Sequence, residues 1–283
     1  PLLLGFGCSV PAILSTRRIE GRNDRLVTIA ILPMMSCAGR LPIYMMFVSA
    51  LFPSHLQATV LFGIYAAGIL LALLCARLLK NTFFKTVQRD APHRLKRLRI
   101  PSLRKVGLLM WSRAFMYVRK AGTFILGASI ILWFLNTYPR PEEGTAENAA
   151  AAMEHSYAGQ IGHWMEPVTR VAGFDWKVNS ALLGAFAAKE IFVTQMGILY
   201  AVQDGDSGPE AQQTLNTRLK ASYTPLQGIS IMIFCLIALP CIGTVTVAKR
   251  EAGTWWFALA QFAGLTVMGF VTATVVYQVG LLL

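Results

Sequence analysis

Four stretches of this chain run for about twenty residues or more without one charged side chain: 57–76 ("QATVLFGIYAAGILLALLCA"), 121–139, 221–248 and 252–283. About 20 consecutive apolar residues cross the hydrocarbon core of a bilayer, and a backbone with no water beside it must satisfy its own polar groups. Each stretch therefore reads as a transmembrane helix. The fold class is all-α, a polytopic transmembrane helix bundle. Composition agrees, with 55% hydrophobic and only 14% charged residues, against about 45–50% apolar in soluble domains.

Two further apolar segments are interrupted. Residues 26–50 ("LVTIAILPMMSCAGRLPIYMMFVSA") hold Pro33, Pro42 and Arg40, and residues 178–202 ("VNSALLGAFAAKEIFVTQMGILYAV") hold Lys189 and Glu190 at mid-length. Both are expected to be broken or re-entrant helices, because irregular backbone at membrane depth is tolerated only inside protein or beside a polar cavity. Charges inside a bilayer are costly and face a bundle interior or water. Arg40, Lys189 and Glu190 are therefore functional candidates. The structural alternatives are that Arg40 neutralises carbonyls at its break, that Lys189 snorkels, and that Glu190 pairs with one of the two.

The formal charge of +12 is unevenly placed: residues 80–113 carry ten Lys/Arg against one Asp. Short Lys/Arg-rich loops stay cytoplasmic, so 80–113 is expected inside, as a topology signal or as a surface for headgroups or a partner. Residues 138–177, with six acidic against three basic residues, are expected as an outer loop. "AKRE" at 248–251 falls inside only if 178–202 re-enters and returns on one side. Re-entrance is the expectation, giving five or six crossings.

No phosphate loop, H-E-x-x-H, G-x-S-x-G or C-x-x-C is present, nor any "GK" dipeptide, so no enzyme is expected. His155 and His163, with Glu154 and Glu166 nearby, read as an ordinary solvated loop rather than a metal site. The five cysteines differ in setting. Cys8 lies three residues before Pro11, Cys37 four after Pro33, and Cys241 directly after Pro240, whereas Cys75 and Cys235 lie in uninterrupted apolar runs. Proline removes a backbone donor and frees carbonyls. Cys8, Cys37 and Cys241 thus sit at candidate cavity points, as ligands for a metal cation or as packed thiols; Cys75 and Cys235 read as packing. On one continuous helix Cys235 and Cys241 would stand about 120° apart. "CSVPAILSTRRIE" and "CIGTVTVAKRE" echo one another, and repeats around midplane sites are a common transporter plan.

Five motifs in order, "GFGCSVPAI", "LPMMSCAGRLPIY", "KAGTFILGASIILWFL", "AAKEIFV" and "LPCIGTVTVAKRE", resemble the membrane portion of the bacterial ferrous iron transport protein B family. The resemblance implies two Gate-type repeats and a multi-pass Fe(II) permease of the bacterial inner membrane. It divides the chain into a first Gate-type segment at 1–79, the basic cytoplasmic loop 80–113, and a second membrane segment at 114–283. It implies Cys8, Cys37, Cys241 and Glu190 as candidates for the Fe(II) path. Iron rests on the resemblance, since thiolates generally favour Cu(I), Zn or Fe–S clusters. The family's GTP-binding domain has no counterpart in these residues, so the chain is expected to be part of a longer protein. GTP would act only through that domain, Fe(II) would be cargo, and no structural cofactor is expected. Implied partners are the lipid bilayer, the GTP-binding domain, small cytoplasmic accessory proteins and a homo-oligomer; nucleic acid is not among them. A nucleoside-type or other solute transporter and a non-transporting scaffold are the alternative readings.

Overall fold

The computed structural model describes residues 1–82, 102–139, 153–200 and 209–282. Much of the basic segment (83–101), the acid-rich part of the outer loop (140–152) and residues 201–208 lie outside the described residues. The described elements are helices and short 3-10 turns, as the uncharged runs require.

Six helices form the first part: α1 (Leu2–Gly5), α2 (Ser9–Ser15), α3 (Arg22–Ile31), α4 (Leu41–Leu51), α5 (Ser54–Thr82) and α6 (Leu103–Thr137). Seven follow: α7 (Tyr157–Thr169), α8 (Trp176–Ala187), α9 (Lys189–Leu199), α10 (Pro209–Ser222), α11 (Pro225–Ile237), α12 (Ile242–Ala252) and α13 (Trp255–Leu282). Both expected loop segments contain helix among the described residues. Helix α5 reaches Thr82 and α6 begins at Leu103, so the ends of the 80–113 loop are helical. Tyr157–Thr169, expected as outer loop, is a helix too. Ser156 caps it by accepting from the Gly159 N–H at 3.2 Å, and Asn179 binds it to α8 through the Gly162 carbonyl and Thr169 Oγ1.

Among the described residues, four segments are long and apolar enough to cross a membrane: Arg22–Leu51, Ser54–Thr82, Pro225–Ala252 and Trp255–Leu282. They fall into two kinds. Ser54–Thr82 and Trp255–Leu282 are unbroken and only 17% buried over their apolar windows, while Arg22–Leu51 and Pro225–Ala252 are broken at mid-length and 56% buried. The straight helices offer leucines and valines such as Leu70, Leu74, Val267 and Val271 to the surroundings. The broken ones lie inside, where freed backbone groups can be shielded.

Each broken segment lies antiparallel to its straight neighbour. Lys80 at the end of α5 pairs with Asp24 at the start of α3 at 3.4 Å. Along α13, Gly269 faces Ala238, 2.8 Å from where a Cβ would stand, and Gly280 faces Leu226; small residues allow such close helix approach.

The run 221–248 is not the uninterrupted helix expected. It stops at Ile237, passes through extended Ala238 and through Leu239 at φ 55°, and restarts after Pro240 and Cys241. Pro240 can donate no hydrogen bond and bars Leu239 from the α region. The rotation argument that separated Cys235 from Cys241 therefore lapses.

Segment 178–202 is broken at extended Ala188, and it folds back on itself. Oriented to satisfy its neighbours, the Gln195 amide donates to the carbonyls of Ser180 (3.1 Å) and Ala181 (3.2 Å) and accepts from Asn136 Nδ2 (2.9 Å). Fifteen residues on a straight helix would lie about 22 Å apart. Helices α8 and α9 are thus a hairpin, with Ala188, Lys189 and Glu190 at its tip.

Candidate functional site

Four chain breaks meet inside the bundle. The Ala38 N–H, at the second break, donates to the Gly7 carbonyl at the first, at 3.2 Å. Gly39 approaches the hairpin tip so closely that a Cβ there would lie 2.8 Å from Glu190 Oε1 and 3.5 Å from Lys189 Cβ. The fourth break joins them in a cavity of about 20 Å³ lined by Ser9, Pro33, Cys37, Arg40, Lys189, Pro240, Cys241 and Thr244. That volume holds about one water-sized occupant.

Helix starts supply most of this lining. Cys8, Cys37 and Cys241 each occupy the capping position of a helix or 3-10 turn with extended backbone, and none makes a side-chain capping bond. The Cys241 thiol instead meets Thr244 Oγ1 at 3.2 Å. Arg40 is 2% exposed and donates from Nη1 to the Met35 carbonyl at 3.3 Å. It thus meets a backbone group at its break, as the structural alternative expected. Lys189 is 5% exposed, and among the described residues its Nζ has no hydrogen-bond partner. It does not snorkel.

Of the residues singled out from sequence, Cys37, Cys241, Arg40 and Lys189 line one cavity. Cys8 stands at its edge, where the next residue, Ser9, contributes to the lining. Glu190 is exposed at the hairpin tip and, among the described residues, makes no ion pair with Arg40 or Lys189. Among the described residues no three of His, Cys, Asp and Glu are grouped closely enough to hold a metal ion. Cys235 is fully buried in the core, and Cys75 joins α5 to α13 through Met268 Sδ at 3.5 Å. His163 stacks on Trp176 with ring centres 4.7 Å apart and lies 3.6 Å from Glu154 and 3.5 Å from Glu166.

Two features escaped the sequence reading. Ser9 and Thr244 line the cavity, and their signal was their place one and three residues after a capping cysteine. On the Arg17 side, Glu251 in the last turn of α12 holds Arg17 and Arg25 together, both at 2.5 Å. The basic pair and glutamate of the two echoing motifs carried that signal.

The sequence model described as "Nucleoside recognition" (Gate) matches residues 118–255, and that of "Ferrous iron transport protein B C terminus" matches residues 61–113. Among curated proteins, an Fe(2+) transport protein A/Fe(2+) transporter FeoB fusion protein of Porphyromonas gingivalis is 37% identical over 100% of this chain and 37% of its own length. The Fe(2+) transporter FeoB of Campylobacter jejuni is 34% identical over 96% of the chain and 44% of its own length. That of Staphylococcus aureus is 36% identical over 99% and 40%. The chain thus spans about two fifths of the length of these relatives. No solved structure matches it.

Proposed function

Since the chain belongs to the ferrous iron transport protein B family, matching its membrane portion, we propose that it forms part of the path by which Fe(II) crosses the bacterial inner membrane into the cytoplasm. The observation that carries this reading is the meeting of two capping cysteines, Cys37 and Cys241, from separate broken segments in one small cavity. Fe(II) would shed part of its water at thiol and carboxylate groups along the path, with Cys8 and Glu190 flanking the cavity. It would pass when the broken segments part, since conduction needs binding firm enough to admit the ion and weak enough to release it. In this reading the cavity of about 20 Å³ belongs to a closed state.

In this reading the basic segment 80–113 faces the cytoplasm, and nucleotide chemistry belongs to a GTP-binding domain elsewhere in the full-length protein. The fusion of one relative to an Fe(2+) transport protein A supports a further component acting with this membrane portion. The Gate model's description favours a nucleoside carrier as the second reading. Small-molecule sites usually need about 300–1,000 Å³, far more than the cavity of about 20 Å³ offers.

The test is Fe(II) uptake into anaerobic proteoliposomes carrying the full-length protein, with Mn(II) and Zn(II) as competitors. Cys37→Ser and Cys241→Ser are expected to lose uptake while Cys75→Ser keeps it. Undiminished uptake in both cavity variants refutes the thiol path, and no uptake by the unmodified protein favours a scaffold.

A further inference from the structure

The cavity presents a charge problem that the iron reading leaves unsolved. Two cationic side chains, Arg40 and Lys189, reach it from different breaks and are 2% and 5% exposed. Arg40 Nε and Lys189 Nζ are both buried and, among the described residues, neither has a hydrogen-bond partner. Guanidinium and ammonium groups donate only, so both vacancies call for an acceptor. Among the described residues that line the cavity there is no carboxylate; Glu190, the adjacent acid, is exposed and lies against Gly39.

Helix ends add to the same imbalance. Helices α9 and α12, eleven residues each, both begin at the cavity, α9 with Lys189 and α12 behind Cys241, and neither start is capped by a side chain. A helix start carries a partial positive charge and unsatisfied N–H groups, which suit an anion. A buried cation without a counter-charge is strongly unfavourable, and a buried polar group without a partner calls for a water or ion. Two such cations beside two uncapped helix starts form an electropositive pocket.

We propose that this cavity is a binding site for one small monovalent anion of halide size, held by Lys189, Arg40 and the starts of α9 and α12. The volume admits one water-sized species and excludes phosphate or a carboxylic acid. Bound there, the anion offsets one of the two fixed positive charges and supplies the acceptor that Arg40 Nε and Lys189 Nζ lack among the described residues. The site stands on the fixed charges alone, whichever solute crosses.

The experiment compares sodium chloride, bromide and gluconate at equal ionic strength, without iron, on the full-length protein in lipid nanodiscs. A ligand that binds only the folded state raises the unfolding temperature saturably. Chloride and bromide are expected to do so, and gluconate is not. In Lys189→Met the half-saturating halide concentration should rise about tenfold, as for one lost charge-assisted contact. Lys80→Met should leave it unchanged, because Lys80 lies on the surface with Asp24. Crystals grown in bromide should show its anomalous signal among Cys37, Arg40, Lys189 and Cys241, an outcome that needs no variant to fold. Equal unfolding temperatures in halide and gluconate, halide dependence unchanged in Lys189→Met, or a cavity holding water or thiolates with no bromide would each overturn the site. Because no iron is present, that failure is separate from any failure of Cys37→Ser to lose uptake.

Discussion

Replacing Glu251 with alanine should loosen the helix that Cys241 caps from Arg17 and Arg25, about 15 Å from the cavity itself, since ten residues of helix at 1.5 Å each separate Glu251 from Cys241. The Glu251 side chain is 2% exposed, whereas Arg17 and Arg25 are 52% and 28% exposed. Arg17 donates from Nε at 3.0 and 2.9 Å and from Nη2 at 2.5 Å, and Arg25 from Nη2 at 2.5 Å. The half-exposed Arg17 pair counts as a surface contact of about 0.2–1 kcal/mol. The Arg25 bond is better shielded and counts at about 1.5–3 kcal/mol. Both arginines can rehydrate once the acid is gone, so Glu251→Ala should cost about 2–3 kcal/mol, roughly 30- to 150-fold in the unfolding equilibrium. Denaturant-titrated unfolding in mixed micelles would measure it. The costs should rank Arg17→Ala below Arg25→Ala and that below Glu251→Ala, with a coupling between Arg25 and Glu251 above about 0.5 kcal/mol in a double-mutant cycle. A cost at Arg17 equal to that at Arg25, or no coupling, would refute this ranking by exposure.

Gly39→Val should push Glu190 and Lys189 aside, because even a Cβ would lie 2.8 Å from Glu190 Oε1; Fe(II) uptake should fall while membrane insertion, read by fractionation, stays normal. Gly184→Leu should open the α8–α9 hairpin, since a Cβ there overlaps the Gln195 side chain, and limited proteolysis near the tip should quicken. Asp175→Ala removes the cap on the Val178 N–H and the acceptor for the Tyr223 hydroxyl, both at 2.9 Å, and should cost about 1–2 kcal/mol in thermal unfolding. Burial raises the Asp175 carboxyl above its ordinary 3.8 despite the Val178 and Tyr223 bonds that lower it. The folded state therefore holds that proton more tightly, and the resulting stabilisation is full below the ordinary value and fades as pH rises through the raised one. In Asp175→Asn that part of the stability–pH curve should flatten.

The membrane class was legible because uncharged runs of about twenty residues leave a helix almost no alternative. The breaks at Pro33 and Ala188 were legible too, since proline or a charge marked each, whereas the run through Pro240 read as one helix although Pro240 stood in it. What the sequence could not convey was which breaks fold back. Pro225–Ala252 runs on along α13, while Trp176–Leu199 doubles over, and the difference rests on Gly184 admitting Gln195, a contact between residues eleven apart. The clamp at Glu251 was hidden for a similar reason, because its partners lie more than 200 residues away. Arg40 and Lys189 stood out as intramembrane charges, but that they share a cavity whose described lining holds no acid depends on the packing of four breaks at once.

Cysteine at a helix start yields the most discriminating of these tests. Serine, threonine, aspartate and asparagine cap helices because a short side-chain oxygen turns back onto the first N–H groups, worth about 1 kcal/mol over alanine. Cys8, Cys37 and Cys241 occupy that position with extended backbone and make no side-chain capping bond. The thiols thus forgo local stabilisation at three separate breaks, as a side chain retained for its reactive atom would. Serine should then make a better cap than cysteine, so Cys37→Ser and Cys241→Ser should match or exceed the parent in unfolding temperature while losing Fe(II) uptake. Cysteine held only as a small packed hydrophobe gives the reverse: the added hydroxyl would lower stability by about 1–3 kcal/mol, and uptake would fall only as far as folding does. Stability gained with uptake lost places function in the thiol, and both lost in proportion would reduce the three cysteines to packing.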